Sequence, residues 1–107
     1  MNNIELIQQV NKELAIELPD KISMEELQQQ LATYVNQLIQ LHFEQLISLL
    51  YRIDVSEAKI KSLLQNYPDE NAGNIIAALI IERQLEKIKS RQQHSQSESN
   101  FDQEEKW

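Results

Sequence analysis

Two histidines, His42 and His94, are the only imidazoles in the 107-residue chain. Imidazole is the side chain best suited to proton transfer near neutral pH and to holding a metal. On a helix His42 would have Leu38, Ile39, Gln45 and Leu46 as neighbours, so neither a carboxylate nor a second imidazole stands at ligand spacing. The Glu-x-x-His pair of di-iron helical bundles is missing too, because the position three before His42 is Ile39. His42 therefore reads as a partly buried histidine bonded to a backbone carbonyl or water, and His94 as a solvated one.

The four aspartates, Asp20, Asp54, Asp69 and Asp102, fall at expected turns, caps or the C-terminal stretch, where their usual work is satisfying orphan amides. A single glycine excludes phosphate-cradling loops, which need several. The absence of cysteine removes disulfides, thiolate ligands and thiol nucleophiles together, and fits a reducing compartment, the cytoplasm. The expectation is a protein with no catalytic, cofactor-binding or metal-binding residues: not an enzyme, and with no cofactor.

Three features bear on binding instead. Arg83, Lys87 and Arg91 stand at i, i+4 and i+8, a basic stripe that suits an acidic partner or a phosphate backbone. Glu82 and Glu86 share that helix and no aromatic interleaves the stripe, so an ordinary solvated face is the plainer reading. Phe101 and Trp107 bracket acids at the C-terminus, the composition of a short peptide that docks in a basic, apolar groove. The third feature is apolar surface in excess, after Leu38 and through the run Ile75 to Ile81, whose seven consecutive apolar residues need cover on every side.

These residues must be carried by helices. One glycine and two prolines against abundant Leu, Ile, Gln, Glu and Lys is the composition of an all-α chain. Ile4, Ile7, Val10, Leu14 and Leu18 recur at helical spacing behind a capping pair, Asn2 and Glu5, with Pro19 as the stop, which predicts a helix over about 3–17. Ser23 and Glu26 form a capping box, flanked by Ile22 and Leu27 as a staple, and open a second helix over 24–53. Its polar stripe is Gln37, Gln40, Glu44, Ser48 and Arg52. At ~1.5 Å per residue it would be ~45 Å long, beyond the ~26 Å diameter of a chain this size, so an elongated bundle, a kink or a second copy is called for. Asp54 or Ser56 caps a short helix over 56–66, and Asp69 or Asn71 caps a last one over 70–91.

The fold expected is a small elongated four-helix bundle, one domain over 1–91, followed by a disordered acidic tail over 92–107. The net charge of −7 is uneven: residues 1–35 hold two bases and six acids, 36–91 seven of each, and 92–107 one base and four acids. Phosphate backbones and anionic lipid surfaces are repelled by the whole, so nucleic acid and membrane are not the expected partners. No apolar run approaches the ~20 residues of a membrane span, and the N-terminus carries no export signal.

The stretch Leu49 to Arg91, with Leu-Leu-Tyr-Arg-Ile-Asp-Val-Ser-Glu at 49–57 and Ile-Ile-Glu-Arg-Gln-Leu-Glu-Lys-Ile-Lys-Ser-Arg at 80–91, resembles small bacterial helical proteins of unassigned function. The resemblance implies a bacterial cytoplasmic protein and carries over no site residue.

Excess apolar area without catalytic groups points to a protein–protein interaction module, a homodimer or the partner of another protein. Its expected surface is Leu46, Leu50, Ile76, Leu79 and Ile80, with Arg83, Lys87, Arg91, Phe101 and Trp107 as further contacts. The alternatives are a regulatory protein that meets nucleic acid or an acidic partner through Arg83, Lys87 and Arg91, and an acidic inhibitor or immunity-type protein.

Overall fold

The computed structural model describes residues 3–104, with side chains described as far as Gln92. Its regular elements are all helical: α1 (Ile4–Leu14), α2 (Met24–Leu41), α3 (Phe43–Arg52), α4 (Glu57–Asn66) and α5 (Ala72–Glu104). All-α is therefore right and four helices is not, for five are present among the described residues. No helix among them is long and apolar enough to cross a membrane.

The extra helix comes from a break at His42, which has φ −146° and ψ 57° and serves as the C-cap of one helix and the N-cap of the next. Its N–H still reaches the Leu38 carbonyl at 2.8 Å, while its own carbonyl accepts from Gln45 and Leu46. Neither glycine nor proline forces this break. What it achieves is burial: α3 turns off the α2 axis, and Leu46, Leu49, Leu50 and Ile53 join the core. His42 itself is exposed, not partly buried as expected. The expected polar stripe, from Gln37 to Arg52, does face solvent on both helices.

The first helix also stops earlier than Pro19 suggests. Ala15 takes a left-handed conformation (φ 56°, ψ 47°), and the Ile16 N–H folds back to the Asn11 carbonyl at 3.2 Å. The Asn11 side chain then grips the loop, accepting from the Leu18 N–H at 2.8 Å and donating to its carbonyl at 3.1 Å. The N-cap residue is Asn3, which makes no side-chain cap bond. Asn2, the expected cap, lies outside the described residues.

Other starts match local chemistry. Ser23 and Glu26 form both halves of the capping box. Ser56 caps α4 by accepting from the Lys59 N–H, and Asn71 caps α5 by accepting from the Asn74 N–H. At its far end α5 does not stop near Arg91; its helical backbone continues to Glu104. Residues 92–104 contain no glycine or proline, so nothing local stops the helix where the apolar period is lost.

Helix α5 is the axis of the molecule. At ~1.5 Å per residue its 33 residues account for the 52 Å long dimension, so the elongation comes from the last helix and not from the second. Helix α2 packs along it most extensively, with α1 and α4 on other sides. In the apolar run only Ala78 is exposed; Ile75, Ile76, Ala77, Leu79, Ile80 and Ile81 are all buried by their own chain. Gly73 stands at the α2–α5 crossing, where a Cβ would come within 2.5 Å of the Asn36 side chain. The chain's one glycine leaves room there for the Asn36 side chain.

Candidate protein-docking groove

Of the residues expected to form an interaction surface, Leu46, Leu50, Ile76, Leu79 and Ile80 are buried in the chain's own core, Ile80 completely. Apolar residues at helical spacing satisfy an internal partner first, and here α5 finds one on several sides. Phe101, on the helical backbone of α5, and Trp107 lie outside the residues whose side chains are described.

The basic stripe is also spoken for within the chain. Arg83 donates from Nε to the Asp54 carbonyl at 3.0 Å, from Nη2 to its carboxylate at 3.1 Å, and from Nη1 to Glu86 at 3.3 Å. Lys87 Nζ meets Glu13 Oε1 at 2.7 Å, with both side chains about three-quarters buried. Arg91 donates to Gln9 Oε1 at 3.2 Å. Three cations that look like an exposed face are thus the ties holding α1 and the α3–α4 turn to α5. They line a cleft with Gln9, Lys12 and Glu13, and each of the three gives at least one donor to an acceptor within the chain.

Three of the exposed large apolar residues share one face of α3. Phe43, Ile47 and Tyr51, at i, i+4 and i+8, form a ridge and are 56%, 49% and 86% exposed. Beside this ridge runs a groove of about 310 Å³, floored by Leu46, Leu50 and Ile76 and walled on its far side by Ile60 and Leu64 of α4. Three of the expected interaction residues are therefore part of the site as its floor rather than its contact surface.

The ridge exists because the apolar arc of α3, from Leu49 round to Tyr51, is broad, roughly 200° at ~100° per residue, more than its buried face can use. Once Leu46, Leu49 and Leu50 turn inward, Phe43, Ile47 and Tyr51 have nothing to cover them. The opposite wall is thinly held, since no residue of α4 is fully buried. Besides its half-buried Ile60, Leu63 and Leu64, α4 is tied to α5 by Lys59 Nζ–Glu82 Oε1 at 2.9 Å. That hydrogen bond, and next the charge of Glu82, raises the Lys59 pKa above its ordinary value. At the mouth, Glu57 and Lys61 pair with each other at 3.4 Å along α4.

The sequence pattern singled out Phe43 and Ile47 as members of a continuous apolar stripe but gave no sign that they would be the ones left outside. The usable signal was the broadening of the apolar arc after Leu38. Another cleft, about 500 Å³ between Leu14, Tyr34, Leu38 and α3, is lined in part by Glu44, Gln45, Ser48 and Arg52. It brings no imidazole or paired carboxylates together. Among the described residues no group of three or more His, Cys, Asp or Glu is placed to hold a metal ion. Comparison of the chain with protein-family profiles, with curated proteins and with solved structures gave no match in any of the three.

Proposed function

We propose that the protein is a non-enzymatic interaction module, acting in the cytoplasm, that docks another polypeptide on the α3–α4 face. The observation that carries this reading is the exposed ridge of Phe43, Ile47 and Tyr51 beside a groove with an apolar floor. Scattered exposed apolar residues need no explanation, but three in register on one helix next to a concave apolar surface form a patch of the kind that marks binding sites. A groove of this shape suits the apolar face of an amphipathic helix, whose anchors recur at the same spacing as the ridge.

The nucleic-acid alternative loses its support because Arg83, Lys87 and Arg91 already have acceptors within the chain. The inhibitor alternative rests only on the acidic residues of the N-terminal third.

The test is the binding of a fluorescent, lactam-stapled helical peptide carrying Phe, Ile and Tyr at i, i+4 and i+8, followed by anisotropy. Saturable binding to the full chain is expected, weakened about tenfold or more by Leu64→Glu, since a charge in the groove wall must be desolvated. Gln29→Glu, outside the groove, should leave binding unchanged. No binding, or equal binding by all three proteins, would refute the reading.

A further inference from the structure

We infer that the occupant of the α3–α4 groove is a second copy of this chain, the ridge of each copy seated in the groove of the other about a two-fold axis. The inference rests on the docking reading above and adds the identity of the partner.

Shape is the first argument. A two-fold contact uses the same patch on both partners, so the patch must complement itself. A flat apolar face or a lone pocket does not; a convex ridge lying beside a concave groove does. The ridge follows an i±4 row, the kind of row that fits between the side-chain rows of a neighbouring helix, and the α4 residues across the groove, Ile60 and Leu64, are themselves spaced by four.

Charge is the second. The chain carries −7, and two copies brought together at an acidic surface would repel. Of the residues that line the groove only Glu57 and Lys61 are charged, one acid and one base, so this face is neutral on an otherwise acidic molecule. These two pair with each other, so neither charge is left for a partner of one sign. A basic partner would be drawn to the acidic ends and an acidic one repelled by the whole. A neutral apolar face favours neither, and it lets like molecules approach.

Area is the third. With ~200 Å² for a large side chain, the stated exposures leave the ridge on the order of 400 Å² per copy. The receiving groove adds a smaller area on each copy, so two copies bury somewhat more than ~1,000 Å² in total, at the low end of what a specific contact of modest affinity needs.

The test is sedimentation of the full chain over a range of micromolar concentrations, with two variants. Tyr51→Glu spoils the ridge at a residue that is 86% exposed, so folding is retained; Leu64→Glu spoils the groove wall. Circular dichroism verifies that both are folded, and Ile60→Thr replaces Leu64→Glu if the latter is not. The wild-type chain should sediment at twice its own mass, reversibly on dilution. Each variant alone should raise the dissociation constant about 30-fold or more, the usual effect of removing an interface anchor.

An equimolar mixture of the two variants should associate more tightly than either alone. An intact ridge from the groove variant then meets an intact groove from the ridge variant, restoring one of the two contacts. Raising salt from about 0.1 M to about 1 M, which shortens the screening length from ~10 Å to ~3 Å, should not weaken the dimer.

A dimer indifferent to both substitutions, or folded variants whose mixture stays monomeric, overturns the ridge-in-groove arrangement. A wild-type chain that is monomeric throughout overturns the inference. In that case the stapled peptide separates the two proposals: if it binds, the docking reading stands without the second copy, and if it does not, both fall.

Discussion

Gln9 and Gln84, 75 residues apart in sequence, meet in the α1–α5 interface through a hydrogen bond of 3.0 Å from Gln9 Nε2 to Gln84 Oε1. Gln84 is wholly buried, and its own Nε2 meets no acceptor among the described residues. Gln9 is better served, because its Oε1 also accepts from Arg91. A buried amide that loses its one partner costs about 1–3 kcal/mol, whereas removing both polar groups together costs little. Gln9→Met should therefore destabilise by about 2 kcal/mol and Gln84→Met by less, because that change also removes the orphan donor. The double variant should be at least as stable as wild type. Urea unfolding of the four proteins measures the coupling, and strictly additive effects would refute it.

The second pair is Gly73 and Asn36. In an open helix, Gly→Ala gains up to about 1 kcal/mol. Here the new methyl would fall 2.5 Å from the Asn36 side chain, which donates at 3.0 Å to Asn71 Oδ1, the atom that caps α5. Gly73→Ala should push Asn36 aside, disturb the cap and destabilise by about 1–2 kcal/mol. In an Asn36→Ala background the same substitution should turn stabilising by up to about 1 kcal/mol. Thermal melts of the double-mutant cycle give the sign, and a reversal is the expected result.

How much of this was legible in the sequence follows from how local each cause is. The Ser23–Glu26 box could be read outright and the Ser56 and Asn71 caps as one of two candidates each, because their causes lie within a few residues; the Ile75–Ile81 run could be read as needing cover, but not that its own chain supplies it. The end of α1 could not, because the left-handed Ala15 is held by tertiary partners: Asn11 gripping Leu18, and Arg52 donating to the Glu13 carbonyl at 2.6 Å. The break at His42 has no glycine or proline to announce it and is compensated by burial far along the chain. The site shared that fate. Periodicity marks Phe43, Leu46, Ile47 and Leu50 alike as apolar, and only the direction α3 takes after the break decides that Leu46 and Leu50 face inward while Phe43 and Ile47 do not.

Ala15 offers a simpler experiment. It is one of two non-glycine residues with positive φ among the described residues, at 56°, where a Cβ is crowded by the backbone. Ala15→Gly relieves that crowding, partly offset by greater freedom of the unfolded chain, and should stabilise by about 0.5–1 kcal/mol. The other residue, Asp54 at φ 65°, has Arg83 on its carbonyl and carboxylate, so Asp54→Gly trades relief of strain against a lost ion pair. It should change stability by less than Ala15→Gly does. Chemical denaturation compares the two.

The tie between α4 and α5 should be visible in alkaline solution. The Lys59 pKa is raised above 10.5 in the folded protein, first by its hydrogen bond to Glu82 and then by the charge of Glu82. A group whose folded pKa is raised contributes stability that is fully present below its unfolded value and lost as pH rises through the folded value. Wild type should therefore exceed Lys59→Gln in melting temperature by a constant margin up to about pH 10, and the margin should close above the ordinary lysine range. A margin unchanged into strong alkali would show that the tie contributes nothing through charge.

Lys87 and Glu13 separate a structural role for the basic stripe from a binding one. Their ion pair of 2.7 Å is mostly shielded from water and joins α1 to α5 across 74 residues of sequence. Lys87→Glu places two carboxylates together at that spot, and should destabilise by about 2 kcal/mol or more, because a shielded charge without its partner costs more than a surface pair is worth. The exchange Glu13→Lys with Lys87→Glu restores opposite charges at the same places and should recover most of the loss. If the stripe served an anionic partner instead, the exchange would restore stability but not a gel shift with double-stranded DNA at low salt. The expected outcome is that no variant, and not the wild-type chain, shifts the DNA at all, because the net charge of −7 opposes association and Arg83, Lys87 and Arg91 are already engaged within the chain.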